Sequence, residues 1–340
     1  MILAIKRTIT ILISLLMMLT GMVQKSDQVG TQVIPASDSS NIFINDYKKV
    51  ELSAHRSGAG EAPQNTLMAF EYCINSKEFD VDIFEFDIHI TKDGEIVLLH
   101  NNTYDDTSNA VEYFGKENIR PQDYDYQTLH DNLNLGAKFN GGKAKYSSLR
   151  GKDIPENLRV VRVGDVLKYT EKHSTKKKPF RYIIEIKDTS LLGMKCADKL
   201  YKVLKDLGIM ERTIVATSKP DVGKYIAKNY PDLVTSADLL EALLFYLYSL
   251  VGGDAAELEP DYSVLQLPYG STSGVDGFFN DLLQTFTDLG SKKFINYAHK
   301  YNMAVQYWTV NNPDEMQHLV DNGADAIMTD YPQQLWELLN

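Results

Sequence analysis

Two carboxylates two residues apart lie in a short apolar stretch, Phe84-Glu85-Phe86-Asp87-Ile88. In a β-strand this spacing places both acidic side chains on one face and the three hydrophobic side chains on the other. Neighbouring anions repel each other, so that without a cation the pKa of one of them would rise sharply. We therefore predict a bound divalent metal beside Glu85 and Asp87. The alternative is a polar strand face in contact with solvent.

A second pair with the same spacing, Glu185 and Lys187, ends the apolar run that starts at Tyr182. Oxygen ligands from neighbouring strands favour a hard cation, Mg²⁺ or Ca²⁺. An ammonium group is repelled by such a cation unless an anion lies between them, and a phosphate group is such an anion. By itself, a Glu-x-Lys pair also fits a surface ion pair.

Two histidines end strand-like runs, His55 after residues 50–54 and His100 after residues 95–99. Either one alone fits a structural role. Together, beside acidic residues at strand ends, they form an arrangement suited to acid and base catalysis. His89 continues the alternation of Glu85 and Asp87, and we predict a structural role for it.

Short β-rich runs alternate with helical patterns along most of the chain. Strands separated by helices imply right-handed crossovers and a parallel sheet, and eight such units can close into a barrel. We therefore predict an α/β fold, a parallel (β/α)8 TIM-type barrel. Its predicted strands are residues 50–54, 83–88, 182–186, 213–216, 233–236, 264–267, 304–310 and 324–328.

Two segments interrupt this alternation. Residues 101–159 are rich in Asn, Asp, Tyr and Gly and lack a clear crossover helix, which indicates an insertion after the second strand, at the barrel rim. Residues 239–251 read LLEALLFYLYSLV, a run too short to span a bilayer. We expect a buried or rim-packed helix there, with a membrane-facing patch as the alternative.

The first residues resemble an export signal, because Lys6 and Arg7 precede an uncharged apolar run over residues 9–23. We expect residues 1–23 to be a signal peptide or an N-terminal membrane anchor, residues 24–45 a flexible linker and residues 46–340 the barrel domain. The protein is then exported, either extracellular or membrane-anchored and facing outward, with membrane association through its N-terminal segment.

Composition restricts the partners. The chain carries 46 acidic and 35 basic residues, a formal net charge of -11, which repels nucleic acid, so we expect no nucleic-acid partner. Cys73 and Cys196 are the two cysteines of the sequence, too few for a disulfide framework, and we expect both to be buried free thiols.

Several motifs together resemble the signature of the glycerophosphodiester phosphodiesterase family. They extend with gaps from about residue 50 to 335 and fade across residues 101–180 and 238–262. The motifs are Ala54-His55-Arg56, Pro63-x-Asn65-Thr66, Glu85-x-Asp87, Lys92-Asp93-Gly94, His100, Glu185-Ile186-Lys187, Trp308-Thr309-Val310-Asn311 and the block from Gly323 to Pro332.

The resemblance implies metal-dependent hydrolysis of glycerophosphodiesters, small-molecule substrates, to glycerol phosphate and an alcohol. It implies one divalent cation, Mg²⁺ or Ca²⁺, general acid and base catalysis by histidine, and an insertion that covers the site. The implied roles are a catalytic pair, His55 and His100; metal ligands, Glu85, Asp87 and Glu185; phosphate clamps, Arg56 and Lys187; and a pocket-lining residue, Trp308.

Three residues depart from the family pattern. Gln64 replaces the usual Glu, Asn101 follows the second histidine where Asp is common, and Asp106 stands where Arg is expected. These changes make the rim more acidic and concern the choice of substrate more than the chemistry. Two alternatives remain, another barrel phosphodiesterase acting on lipid, of the phospholipase C or D type, and a non-catalytic binding barrel.

Overall fold

Strands rich in Ile, Val and Phe alternate with helices in the computed structural model, which describes residues 39–175, 178–270 and 289–340. The predicted segment 1–23 lies outside these residues. None of the helices described is long and apolar enough to cross a membrane. The strands described are β1 (Glu51–Ala54), β2 (Ile83–Ile90), β3 (Ile96–Leu98), β4 (Arg181–Ile186), β5 (Thr213–Ala216), β6 (Val234–Thr235), β7 (Val264–Pro268), β8 (Ala304–Trp308) and β9 (Ala326–Thr329).

The helices follow the strands in the expected alternation. Several begin at a polar residue that caps the free N–H groups of the first turn, such as Thr66, Ser291 and Asn312. The α-helices described are α1 (Leu67–Ile74), α2 (Ala110–Phe114), α3 (Tyr126–Asn132), α4 (Val163–His173), α5 (Ser190–Leu207), α6 (Pro220–Asn229), α7 (Leu239–Val251), α8 (Lys292–Lys300), α9 (Pro313–Asn322) and α10 (Pro332–Leu339).

Eight of the strands are parallel and form a nearly closed barrel in the order β6-β5-β4-β2-β1-β9-β8-β7. A parallel bridge between Ser236 and Val264 connects the two ends of this order. The additional strand, β3, pairs antiparallel with the end of β2. The predicted (β/α)8 barrel is therefore confirmed, and its parallel strands all end at one rim, where side chains from different strands meet.

The register of the barrel decides which strand ends are neighbours. Asp87 on β2 lies opposite Glu185 on β4. Ala54, the last residue of β1, lies opposite Thr329, the last residue of β9. The residues that follow these two strands are consequently brought side by side at the rim.

The segment between β3 and α4 packs around its own small core. Tyr104, Ile119, Leu129 and Leu133 are buried in a cluster separate from the main core of the barrel. Leu129 lies in the short helix α3 and Leu133 directly follows it, while Tyr104 and Ile119 lie in the loops on either side of α2. The predicted insertion 101–159 is thus a folded subdomain attached after the second barrel strand.

The chain before β1 differs from the predicted flexible linker. Phe43 and Ile44 are 1% and 6% exposed, and they pack in one cluster with residues at the starts of the barrel strands, including Ile83 and Val264. Asn45 N–H donates to Asp325 Oδ1 at 2.8 Å. The barrel domain therefore begins before Asp46, because this segment closes the end of the barrel opposite the rim.

Replacing Phe43 by alanine should lower the free energy of unfolding by about 3–5 kcal/mol, since it removes a buried aromatic ring and leaves a cavity. Ile42 is the matched control because it is 48% exposed, and Ile42→Ala should change stability by less than about 0.5 kcal/mol. Urea unfolding of both variants measures the difference. Equal stabilities would show that residues 39–45 do not contribute to the barrel core.

Candidate active site

Three carboxylates meet at the rim of the barrel. Glu85 and Asp87 are 4% and 1% exposed although both are acidic, and Glu185 lies directly opposite Asp87 on the neighbouring strand. The hydrophobic residues that alternate with them, Phe84 and Phe86, pack in the core on the other face of β2. Strand alternation thus forces the acids together into one site.

Burial makes these charges costly. Burial, reinforced by the neighbouring Asp87 carboxylate, raises the pKa of Glu85, and burial likewise raises the pKa of Glu185. Asp87 behaves differently, because the attraction of Lys187, His100 and Arg56 outweighs its burial and lowers its pKa. The site therefore stabilises one ionised carboxylate and resists the ionisation of the other two.

Two cationic side chains lie among the acids. Lys187 Nζ is 3.3 Å from Asp87 Oδ1 and 3.2 Å from Glu185 Oε2, and these carboxylates raise the Lys187 pKa against the opposing effect of burial. Arg56 donates from its guanidinium to Gln64 Oε1 at 2.8 Å. Its buried Nε has no hydrogen-bond partner among the described residues, so it can donate to a bound anion.

A left-handed turn after β1 shapes this part of the site. Arg56 and Ser57 have φ of 48° and 65°, and Asn65 has φ of 56°, conformations that are unfavourable for residues with a side chain. The turn directs the Arg56 N–H to Glu85 Oε2 at 2.7 Å. Asn65 Nδ2 donates to Asp87 Oδ2 at 2.9 Å. Hydrogen bonds to buried carboxylates thus offset the strain of the backbone.

His55 is held by an acidic residue from the last barrel strand. His55 Nδ1 lies 2.6 Å from Asp330 Oδ1, and Asn311 Nδ2 donates to the other carboxylate oxygen at 2.7 Å. Burial opposes ionisation of Asp330, but the His55 ring and Asn311 lower its pKa overall. An ionised Asp330 accepts a hydrogen bond from His55 Nδ1–H, which leaves Nε2 unprotonated and able to accept a proton.

His100 is oriented from the insertion side. Its Nδ1 lies 2.8 Å from Asn101 Oδ1, while Asn101 Nδ2 donates to Asp106 Oδ2 at 3.3 Å. The Asp106 contact fixes the amide orientation, so His100 Nδ1 must donate the proton to Asn101. Burial lowers the pKa of His100 to about 4, in opposition to the attraction of Asp87. In this state the His100 ring is neutral at neutral pH.

Trp308 ends β8 at the edge of a cavity of about 140 Å³. Glu185 lines the same cavity, which connects it with the charged site. The remaining lining is largely apolar and includes Leu243, Leu267 and Leu289. A substrate with its charged group at the acids can place an apolar group here.

The carboxylates suit a hard divalent cation by their chemistry. Three acids converge with two side-chain cations, so their negative charge is only partly compensated. As they stand, however, no three His, Cys, Asp or Glu side chains in the described ranges are close enough to hold one ion together. Lys187 occupies the space between Asp87 and Glu185. The donor types fit a hard divalent cation.

All eight residues predicted from the sequence lie around this rim, but sequence reasoning missed three supporting residues. Asp330, Asn311 and Asn65 make the hydrogen bonds that hold His55 and Asp87. Position in the sequence could have indicated them, since Asp330, for example, follows the end of a predicted strand. His89 is buried, and its Nδ1 lies 2.7 Å from Asp188 Oδ1, which agrees with its predicted structural role.

The fold and the rim define a class of protein, a (β/α)8 barrel that brings carboxylates, two cationic side chains and two histidines together at one rim. Residues 55–334 match the Glycerophosphoryl diester phosphodiesterase family. This chain belongs to that family. The predicted glycerophosphodiester phosphodiesterase barrel is therefore confirmed as family, fold and enzyme class.

Relatives and a solved structure agree with this assignment. The glycerophosphodiester phosphodiesterase of Caldanaerobacter subterraneus subsp. tengcongensis is 26% identical, over 86% of this chain and 98% of the relative. Lysophospholipase D GDPD3 of Mus musculus is 23% identical, over 86% and 82%. An Oleispira antarctica phosphodiesterase, solved in complex with the product sn-glycerol-3-phosphate, shares the fold with a TM-score of 0.58 at 14% identity, over 85% and 96%.

Replacing Asp330 by asparagine should lower kcat by about a hundredfold to ten-thousandfold, because the His55 ring loses the carboxylate that fixes its tautomer. KM should change little, since Asp330 lies behind the histidine. Asp321→Asn is the control, because Asp321 is exposed and pairs with Lys48 on the surface. Steady-state kinetics of both variants tests the role. A variant with normal kcat would show that Asp330 only supports the fold.

Proposed function

We propose that this protein hydrolyses glycerophosphodiesters to glycerol phosphate and an alcohol, with a divalent cation at the rim and two histidines that transfer protons. The proposal rests on one observation. Glu85, Asp87 and Glu185 converge at the rim, and Lys187 lies between the last two. A site of this kind attracts a metal ion and an anion together. A binding barrel without catalysis would not need two oriented histidines beside it.

His55 acts as the general base. Asp330 holds its Nδ1, so the lone pair of Nε2 faces the site and can accept a proton from the attacking water, whose oxygen bonds to phosphorus as the bond to the leaving alcohol breaks. The negative charge of Asp330 then stabilises the imidazolium that forms. The Thr309 hydroxyl, 3.5 Å from Nε2, marks the direction in which this nitrogen points.

His100 acts as the general acid on the leaving alcohol. Its pKa of about 4 is too low for it to carry a proton at neutral pH. A phosphodiester anion bound nearby favours the charged ring and raises this pKa. Protonation of His100 is thereby coupled to substrate binding. Asn101 keeps the ring oriented during the transfer.

Arg56 and Lys187 stabilise the charge on the phosphoryl oxygens. The unpartnered Nε of Arg56 provides a buried donor, and Lys187 can turn from its carboxylate partners to the phosphate. Glu85, Asp87 and Glu185 would hold the Mg²⁺ or Ca²⁺ ion. When bound, such an ion neutralises developing charge on the phosphoryl oxygens.

The cavity beside Trp308 receives one half of the diester. Its apolar lining favours a group with hydrocarbon character over a second charged group. The relative named as a lysophospholipase D agrees with such a substrate. We further propose that the enzyme acts outside the cell or on the outer side of a membrane, on the basis of the apolar residues 9–23 after Lys6 and Arg7.

Activity should require a divalent cation. Exhaustive chelation should abolish hydrolysis of glycerophosphocholine, and Mg²⁺ or Ca²⁺ should restore it, because the negative charge of the three converging carboxylates is only partly compensated without the ion. Glu185→Ala should lower both the metal affinity, measured by calorimetry, and the rate. Asp123 is exposed in the insertion, and Asp123→Ala should change neither. Full activity after chelation would exclude the metal from the mechanism.

The two histidines should respond differently to the leaving group. His55→Ala and His100→Ala should each lower the rate on glycerophosphocholine by about a hundredfold to ten-thousandfold. An aryl phosphodiester has a leaving group that departs without a proton, so it should rescue His100→Ala but not His55→Ala. Both variants are compared at equal metal occupancy. If neither loses more than about threefold on glycerophosphocholine, below the range for positioned proton transfer, the two-histidine mechanism is wrong.

A further inference from the structure

The outward side of α7 is largely aliphatic. Among the described residues eleven large hydrophobic side chains are exposed, and five of them lie on this single helix, with exposures of 39% to 60%. At about 3.6 residues per turn, the outward residues share one continuous arc of the helix. This leucine face consists of Leu239, Leu240, Leu243, Leu244, Leu247, Leu250 and Val251.

The helix that carries this face is firmly attached to the barrel. Asp238 and Glu241 form a capping box at its start, which stabilises the first turn. On the inward side, Phe245 and Tyr246 are buried and contact Phe294 of α8. The exposure of the leucine face is therefore a feature of a well-packed helix.

The leucine face continues into the active site. Leu239 and Leu243 belong both to this face and to the lining of the cavity that Glu185 and Trp308 also line. One apolar surface thus extends from the exposed side of α7 to the catalytic groups. Water-exposed apolar surface of this kind usually marks an interaction site.

We propose that the leucine face docks on the surface of a phospholipid bilayer, so that the barrel rim and its cavity face the lipid. The proposal rests on the proposed function, since it explains how a phosphodiesterase reaches diesters that carry a hydrocarbon chain. A helix lying in the interfacial plane buries its apolar side among the acyl chains and headgroups. The cavity then opens directly onto the source of the substrate.

The size and chemistry of the face favour lipid over a second protein chain. A helix of 13 residues is about 20 Å long and about 10 Å wide, which gives roughly 200 Å², whereas a stable protein interface buries about 800 Å² on each partner. The face also lacks the Trp, Tyr and Arg residues that dominate the binding energy of protein interfaces. A bilayer requires neither a large area nor such anchors.

Charges near the helix indicate the kind of lipid. Lys293 lines a small cavity with Leu250, and Lys224 is close enough to act electrostatically on Glu241 of α7. These lysines can meet headgroup phosphates at the edges of the face. The whole chain has a net charge of -11, which opposes approach to a strongly anionic surface. A zwitterionic bilayer is therefore the expected partner.

Site-specific fluorescence tests this docking in the full chain. Both native cysteines, Cys73 and Cys196, are buried, so a cysteine introduced at an exposed position reacts selectively with an environment-sensitive dye. Leu244→Cys places the dye on the leucine face, and Leu191→Cys places it on α5, where Leu191 is 73% exposed. Addition of phosphatidylcholine vesicles should shift the emission of the first label to shorter wavelength and leave the second unchanged. The local readout separates α7 from any contribution of residues 1–23.

A second substitution sharpens the test. Leu240→Asp in the Leu244→Cys chain should raise the vesicle concentration for half-maximal shift about tenfold or more, because a leucine side chain is lost from the apolar surface. Leu191→Asp in the same chain should have no effect. Three results would each overturn the proposal: no shift at position 244, an equal shift at position 191, or a shift that depends on protein concentration without vesicles. Hydrolysis of soluble glycerophosphocholine, measured in parallel, shows separately whether the proposed function fails.

Discussion

The repulsion between buried carboxylates at one end of the barrel governs the organisation of the site. Glu85, Asp87 and Glu185 are brought together by the pairing of β2 with β4, and the strands cannot separate them without breaking the barrel. The surrounding groups act on this excess of negative charge. Lys187 lies between two of the acids, and the backbone of Arg56 donates to the third. The fold thus holds a concentration of charge that a metal ion and a phosphodiester can share.

Neutral and acidic groups behind the site keep its reactive atoms in place. Asn65 makes two hydrogen bonds to Asp87: its Oδ1 accepts from the Asp87 N–H, and its Nδ2 donates to the Asp87 carboxylate. Asp330 and Asn311 hold His55, and Asn101 holds His100. Both histidines and Asp87 therefore have partners that fix their orientation, which suits the proton transfer proposed for the histidines. The strained turn at Arg56 and Ser57 persists because the hydrogen bond from the Arg56 N–H to Glu85 Oε2 stabilises it.

The two ends of the barrel serve different purposes. Phe43 and Ile44 close the end where the strands start, and contacts there contribute to stability. The opposite rim carries the catalytic groups, the folded insertion and the start of α7. Substitutions at this rim need not disrupt the barrel, because the insertion has its own core and the leucine face lies outside the barrel core. The departures at Asn101 and Asp106 lie in this insertion, where Asn101 contacts His100 and Asp106 contacts Asn101.

The sequence by itself determined the alternation of strands and helices, the strand that carries Glu85 and Asp87, and the eight residues around the rim. The strands and the paired acids depend on local periodicity and on side-chain type, which are visible along the chain, whereas the roles of Arg56 and Trp308 came from the resemblance to the family. Only the tertiary structure decided that Phe43 and Ile44 belong to the barrel core, that Asp330 supports His55, and that Lys187 lies between two carboxylates. Those relations join residues far apart in sequence, and they depend on strand register and packing, which no local pattern specifies.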